Sequence, residues 1–288
     1  MKKKSTPTIR LVKKYFVKLF KDDIFGLSAE MAFYLLTAFF PFLILIFIIV
    51  TNVSYQMQSL LFNLIRALPA DAEEIVMNVL LNFTGSTTII ITACFFALWS
   101  TSNVINTITK SLNRFYGIKE TRSYIKTRLM SLFFSFIIIA TIVLCFALII
   151  FGEGTGILLR YLDYFSFLNT EIIWNWSRYL VIITVFMLAL TSMFKVLPNK
   201  KLKFSEVFVG AAMSTAAWCV ASWGFSFYVN NFSRYHVIYG SIAGIIILTT
   251  WVYMSGFVIL AGGIMNSTLI KAKKAKKIHS IIENTEKI

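Results

Sequence analysis

Charged residues are scarce in this 288-residue sequence: Asp, Glu, Lys and Arg make up 14% of it, whereas hydrophobic residues make up 58%. Soluble domains carry about 25% charged residues and about 45–50% apolar ones. Together with the mean hydropathy of +0.75, these values exclude an ordinary soluble domain, a disordered chain, a coiled coil and a collagen. They indicate a membrane protein.

Cysteine and histidine are too few for the sites that they usually build. The three cysteines, Cys94, Cys145 and Cys219, all lie in apolar runs, so no extracellular disulfide framework is available. The two histidines, His236 and His279, fall on opposite sides of the membrane in the topology derived below. A histidine-rich metal site or a metallonuclease centre cannot be assembled from them, and we predict neither a metal nor a cofactor.

Catalytic motifs are also lacking. The stretch Gly152–Gly156 has the glycine spacing of a phosphate loop, but no Gly-Lys-Ser/Thr follows it. There is no Ser-His-Asp order and no Cys-x-x-Cys motif. We predict that the protein is not an enzyme and has no catalytic residues.

Six apolar segments are long enough to cross a bilayer, which takes about 20 helical residues for a core of about 30 Å. They are too long and alternate too weakly to be barrel strands. We predict an all-α integral membrane protein with six transmembrane helices: Ala29–Thr51, Thr87–Ile108, Met130–Phe151, Arg178–Met193, Val207–Val229 and Ile242–Thr268. Two short helices are expected outside them, one ending near Leu81 and one over Leu158–Phe165.

Lysine and arginine are distributed unevenly between the connecting segments. Eight precede the first span, six lie in the second loop, four in the fourth and six in the tail, whereas the other three loops share four. By the positive-inside rule, we predict that both termini are cytoplasmic and that the chain is a multi-pass membrane protein. The net charge of +15 therefore reports topology, and no nucleic-acid partner is expected.

These boundaries divide the chain into a basic amphipathic segment (1–28), a six-helix transmembrane domain (29–270) and a basic cytoplasmic tail (271–288). Within the first segment, residues 8–20 are predicted to form an interfacial helix whose lysines face anionic headgroups. Membrane lipids are thus the expected partners. The predicted apolar face of the helix is Leu11, Val12, Tyr15, Phe16 and Leu19, and the lysines placed mostly on the other face are Lys13, Lys14, Lys18 and Lys21.

Polar residues in the first span share one helical face, because Glu30, Tyr34, Thr37 and Pro41 recur at i, i+4, i+7 and i+11. Pro41 frees a backbone carbonyl one turn earlier, which a neighbour or water must satisfy. We interpret this face as one side of a water-filled cavity or gate. The alternative is that Glu30 pairs with a loop lysine at the membrane interface.

A second polar seam follows span two through Asn103 and Asn106. Amides inside a membrane need partners, each worth about 0.6–2 kcal/mol, so these residues either line a pathway or join helices. The predicted pathway residues are Glu30, Tyr34, Thr37, Pro41, Asn103, Asn106 and Asn266. No charged residue lies near the middle of any span, which disfavours an ion-coupled antiporter.

Small residues line one face of span five: Gly210, Ser214, Ala217, Ala221 and Gly224. Such a face lets another helix approach closely. The partner helix can belong to the same chain or to a second copy, so a homo-oligomer is compatible with the pattern.

Several stretches, in order along nearly the whole chain, resemble the YihY/BrkB family of bacterial inner-membrane proteins, once labelled ribonuclease BN-like. They are Ala32–Pro41, Leu112–Gly117, Leu197–Asn199, Ser222–Tyr228, Tyr239–Ser241, Trp251–Tyr253 and Gly262–Asn266. The family-motif residues that we single out are Asn113, Arg114, Tyr116, Gly117, Pro198, Asn199, Tyr228, Tyr239, Gly240 and Trp251. The resemblance implies six helices, a cytoplasmic-membrane location and, through the family's associations with envelope integrity and lipid or lipopolysaccharide export, a role with envelope lipids.

The leading hypothesis is a transporter or translocation factor for a lipid-like or amphipathic envelope substrate that does not hydrolyse ATP itself. The alternative is a non-transporting membrane scaffold that gathers partners through its basic surface and small-residue helix faces. A membrane-associated ribonuclease is the remote third hypothesis, and only the historical family label favours it.

One departure from the family pattern generates a prediction. The position two residues before Asn266, usually acidic in the family, is Ile264 here. We hypothesise that Glu30 supplies the missing carboxylate, so Glu30→Gln should abolish function and Ile264→Glu should restore part of it. A lipid-exchange assay on the single and double variants checks this, and an absence of rescue contradicts it.

Overall fold

The structure, a computed structural model, describes residues 7–53, 87–161, 170–231 and 242–285. Over these residues the chain is helical and contains no strand. In chain order the helices are α1 (Pro7–Lys21), α2 (Ile24–Val53), α3 (Thr87–Tyr116), α4 (Tyr124–Tyr161), α5 (Thr170–Val196), α6 (Phe204–Asn231) and α7 (Ile242–Thr285). A helix satisfies its own backbone hydrogen bonds, as apolar segments in lipid require.

Each predicted span lies inside one of these helices. Five helices contain a stretch long and apolar enough to cross a membrane, namely Ile90–Tyr116, Tyr124–Ile142, Tyr179–Val196, Phe204–Val229 and Gly244–Glu283. In α2 the corresponding apolar stretch is Ile24–Phe39, although the helix itself continues to Val53. The all-helical class is confirmed, whereas the count of six spans and the orientation of the termini stay predictions.

Several helices extend beyond the predicted spans, because good helix formers continue the turns past the apolar run. Helix α7 runs on through the lysines after Ile270 to Thr285, so most of the segment predicted as a tail is helical. The separate short helix predicted at Leu158–Phe165 is wrong in its first half, since Leu158–Tyr161 belong to α4. The short helix predicted to end near Leu81 lies outside the described residues.

The amphipathic helix predicted over residues 8–20 is confirmed as α1, but its two faces are arranged differently. Leu19 is buried and Tyr15 half-buried, with the Tyr15 hydroxyl 3.5 Å from the Ala261 carbonyl of α7. Val12 and Phe16, predicted on the same face, are exposed. Lys18, predicted among the outward lysines, instead points toward α7 and contacts Ser267.

The chain divides into two compact units. Unit 1 comprises residues 1–22, 109–216 and 259–288, and it contains α1, α4 and α5. Unit 2 comprises residues 23–108 and 217–258, and it contains α2. Helices α3, α6 and α7 each contribute residues to both units.

The core of unit 1 forms where the end of α3 meets α7. Leu112 and Phe115 of α3 are fully buried, as are Leu260 and Ile264 of α7. Gly263 permits this packing, because a Cβ atom there would lie 2.6 Å from a methyl carbon of Leu112.

Helices α6 and α7 approach each other most closely in unit 1 at Gly210 and Gly262. A Cβ atom on Gly210 would overlap the Gly262 carbonyl oxygen and the Asn266 side chain, and one on Gly262 would overlap the Ser214 hydroxyl. The close packing predicted for the small-residue face of α6 is thus seen at its first half. At Gly224, in unit 2, an added Cβ would meet nothing within 4 Å.

This difference between two glycines of one helix generates a prediction. Gly210→Ala should lower stability by about 1–3 kcal/mol, because the backbones of α6 and α7 must separate to admit a methyl group. Gly224→Ala is the matched control and should be neutral or slightly stabilising, since alanine is the better helix former. Thermal unfolding of both variants in detergent checks this, and equal melting temperatures contradict the packing described here.

Candidate functional site

The polar face of α2 lies beside the buried face of the helix. Ile24, Ser28 and Met31 are buried and belong to the inward face. Glu30 and Thr37 are exposed. Tyr34 and Pro41, which share their face, are half-buried. The predicted polar face is therefore partly exposed, with Glu30 and Thr37 as its exposed members.

Helix α3 supplies the partner of this carboxylate. The Thr107 hydroxyl donates a hydrogen bond of 2.8 Å to Glu30 Oε1, and Thr107 itself is almost completely buried. Asn103 precedes Thr107 by one helical turn, and Asn106 is its direct neighbour; both are half-buried. Six of the seven predicted pathway residues thus lie on two helices that this hydrogen bond joins.

The alternative interpretation of Glu30 was an ion pair with a loop lysine. Among the residues that the structure describes, the ion pairs are Lys18–Asp22 and Glu120–Arg122. Glu30 instead accepts a hydrogen bond from the neutral hydroxyl of Thr107. A carboxylate on an apolar spanning helix is costly unless it has polar partners, so this exposed face favours water or a polar group beside it.

Asn266 is the seventh predicted pathway residue, and its surroundings differ. Its side chain is fully buried in unit 1, where Oδ1 accepts from the Gly210 N–H at 2.7 Å and Nδ2 donates to the Val207 carbonyl at 2.9 Å. Both polar groups of the amide are therefore satisfied by the backbone of α6. This arrangement fixes the register of α6 against α7 at the Gly210 contact.

The family-motif residues after α3 and α5 meet in a network of hydrogen bonds, which we call the loop clamp (Asn113, Glu120, Arg122, Leu197 and Asn199). Asn113 is buried; its Oδ1 accepts from the Asn199 N–H at 2.8 Å, and its Nδ2 donates to Glu120 Oε2 at 2.7 Å. The Arg122 guanidinium binds both oxygens of Glu120 at 2.7 Å and the Leu197 carbonyl at 2.8 Å. The clamp joins the segment after α3 to the segment after α5.

Glu120 and Arg122 are the charged members of the loop clamp. The hydrogen bond from Arg122, more than any other contact, holds the pKa of Glu120 at about 2, below its usual 4.5, so the carboxylate is ionised at neutral pH. Glu120 is not among the functional residues predicted from the sequence, although it is the sole acid in a loop rich in lysine and arginine. That isolation was the signal that could have identified it.

The remaining motif residues have separate surroundings. Gly117 ends α3 with φ of +70°, and the N–H groups of Gly117 and Ile118 donate to the carbonyls of Arg114 and Asn113. This is the Schellman motif, which favours glycine at that position.

The other family-motif residues differ in their burial. Tyr116 and Pro198 are buried, whereas Arg114 and Tyr228 are exposed. Trp251 packs edge-on against Trp218 in unit 2. Tyr239 and Gly240 lie outside the described residues.

The polar groups of this arrangement can take part in recognition. Within the described ranges, no three His, Cys, Asp or Glu side chains come together as metal ligands. The exposed face of α2 offers a carboxylate and hydroxyl groups, and α3 adds amides beside them. Such groups suit a polar headgroup or a file of water molecules.

The loop clamp generates a prediction. Asn113→Ala removes two buried hydrogen bonds and should lower the free energy of unfolding by about 1–3 kcal/mol. Asn113→Asp retains the acceptor for the Asn199 N–H but sets a second carboxylate against Glu120, so it should also destabilise at neutral pH. Asn231→Ala is the matched control, because Asn231 is exposed and its side chain donates to the Phe227 carbonyl of its own helix. Melting temperatures that match across the three variants would contradict a stabilising clamp.

Comparison with known proteins identifies relatives over most of the chain. A protein described as a putative ribonuclease-like protein, YfkH, from Bacillus subtilis is 36% identical over 252 residues, which cover 86% of this chain and 90% of the relative. A UPF0761 membrane protein from Alteromonas mediterranea is 25% identical over 279 residues, covering 94% of this chain and 92% of the relative. One from Vibrio vulnificus is 23% identical over 238 residues, covering 83% and 73%. No solved structure matches.

The family comparison also covers most of the sequence. The family model described as "Virulence factor BrkB" matches residues 15–281, which include all seven helices in whole or in part. This range contains the polar face of α2, the loop clamp and the contact between α6 and α7. The chain is therefore a membrane protein that belongs to the BrkB family.

Proposed function

We propose that this protein moves a lipid-like or amphipathic envelope substrate across a bacterial cytoplasmic membrane, without hydrolysing ATP itself. The observation that carries the proposal is the exposed side chain of Glu30 on the polar face of α2. Its carboxylate accepts a hydrogen bond from the Thr107 hydroxyl of α3. A polar stripe on a partly exposed face suits a substrate whose other half remains in lipid.

The proposed pathway follows from this geometry. The headgroup of the amphiphile travels along the polar face of α2, exchanging hydrogen bonds with Glu30, Tyr34 and Thr37, while its acyl chains stay in the bilayer. The face lowers the cost of bringing a polar group through an apolar layer, because each group it provides substitutes for water. In this scheme Asn103 and Asn106 flank the pathway, and Asn266 has a positioning role between α6 and α7.

The scaffold hypothesis remains the second candidate because of one observation on α7. In its C-terminal part, the helix carries Lys273, Lys274 and Lys276, all exposed. With both termini in the cytoplasm, as the loop charges suggest, this end would form a cationic surface for partners. The word ribonuclease-like belongs to the name of the Bacillus subtilis relative, and no arrangement in the described residues leads us to propose that activity.

Leaflet exchange of a fluorescent phospholipid in liposomes that contain the purified full-length chain tests the proposal. Wild-type protein should accelerate exchange over empty liposomes, and Glu30→Gln should lose most of the acceleration. Thr107→Val should slow exchange roughly tenfold, because a hydrogen bond to a charged group contributes about 1.5–3 kcal/mol.

The matched control for Thr107→Val is Thr92→Val in the same helix, since the Thr92 hydroxyl bonds the Thr88 carbonyl of α3 itself. It should exchange lipid at the wild-type rate. Wild-type exchange no faster than empty liposomes would contradict lipid movement. Two results together would replace the transport proposal with the scaffold function. Lipid exchange would be absent, and the triple variant Lys273→Gln, Lys274→Gln, Lys276→Gln would lose protein partners that Glu30→Gln retains.

A further inference from the structure

A cavity of about 500 Å³ lies in unit 1 between α1 and α7, and lysine dominates its lining. We call it the lysine cavity (Lys13, Lys14, Lys18, Lys21 and Lys271). Its lining, all within the described residues, contains no acidic side chain. Its volume falls in the range of roughly 300–1,000 Å³ that small-molecule sites occupy. Concentrated positive charge in a concave surface favours an anion.

Two of these lysines converge on a single backbone oxygen. Lys18 Nζ donates to the Phe115 carbonyl at 2.5 Å and to the Ser267 hydroxyl, and Lys271 Nζ donates to the same carbonyl at 3.3 Å. The nearest carboxylate oxygen is that of Asp22, 3.8 Å from Lys18. One carboxylate therefore stands near two ammonium groups, and three further lysines line the same cavity.

The electrostatics of Lys18 agree with this imbalance. Burial, followed by repulsion from Lys271, lowers the pKa of Lys18 to about 8 from its usual 10.5, although Asp22 acts in the opposite direction. The charged form of the side chain is thus poorly compensated in the protein alone. An anion in the cavity would stabilise it.

The outward side of α1 identifies the source of the anion. Ile9, Val12, Phe16 and Phe20 recur along the helix and are all exposed. A helix with exposed apolar residues on one side and lysines on another is typical of the membrane interface, where apolar side chains enter the acyl region. A cavity beside such a helix lies at the depth of lipid headgroups, so a phospholipid fits better than a soluble phosphate.

We propose that the lysine cavity binds the phosphate of an anionic phospholipid headgroup. The site is made entirely of residues from unit 1 and does not depend on the transport proposal. Bound lipid would link α1 to α7 through its phosphate and would stabilise the contact between Lys18 and the end of α3.

Binding of defined lipids to the purified full-length protein in detergent tests the site, with native mass spectrometry as the measurement. The probes are phosphatidylglycerol, phosphatidylcholine and inorganic phosphate. Wild-type protein should bind phosphatidylglycerol more tightly than phosphatidylcholine. The Lys14→Gln, Lys21→Gln double variant should weaken phosphatidylglycerol binding by roughly tenfold or more, since each basic residue contributes about tenfold or somewhat less at an anionic surface.

The matched control removes the same charge from another exposed part of unit 1, in the variant Lys119→Gln, Lys126→Gln, whose lysines do not line the cavity. It should bind phosphatidylglycerol as wild type does. Equal loss in both double variants, or no loss in either, overturns the proposal. Tight binding of inorganic phosphate without phosphatidylglycerol binding overturns the lipid source. Glu30→Gln should bind normally, so failure of transport and failure of this site are distinguishable.

Discussion

Lipid offers no hydrogen bonds, and this constraint accounts for most of the structure. Each polar group on an apolar helix must find its partner within the protein or lie where water or a headgroup reaches it. Asn266 meets the constraint through the backbone of α6, and Trp218 through the Ser255 hydroxyl at 3.1 Å. Asn113 meets it through the loop clamp. These contacts also fix which helices are neighbours.

Two places meet the constraint incompletely, and both proposals rest on them. The face of α2 that carries Glu30 is exposed rather than buried among other polar groups, and the lysine cavity holds more positive charge than nearby carboxylates balance. Each would be completed by the polar part of an amphiphile. The first suits a headgroup in passage, and the second suits a headgroup that stays bound.

The helices could be predicted from sequence because a run of about 20 apolar residues is a local signal. The helical period likewise predicted α1 and the shared face of Glu30 and Thr37. Partners distant in sequence could not be predicted, as with Thr107, which lies 77 residues from Glu30. The inward direction of the Lys18 side chain could not be predicted either. Its carbonyl and hydroxyl partners in α3 and α7 outweigh the preference of a lysine for solvent. The small-residue face of α6 predicted close packing, but only the approach of α7 decides that Gly210 is tightly packed and Gly224 is not.

The central claim is that water and headgroups reach the polar face of α2. Labelling of Thr37→Cys in liposomes by a charged thiol reagent, with the three native cysteines replaced, tests it most directly. Phe136→Cys is the control, because Phe136 of α4 is 66% exposed but lies on an apolar helix face. The account predicts that Thr37→Cys reacts several-fold faster than Phe136→Cys. Equally slow reaction at both positions would contradict it.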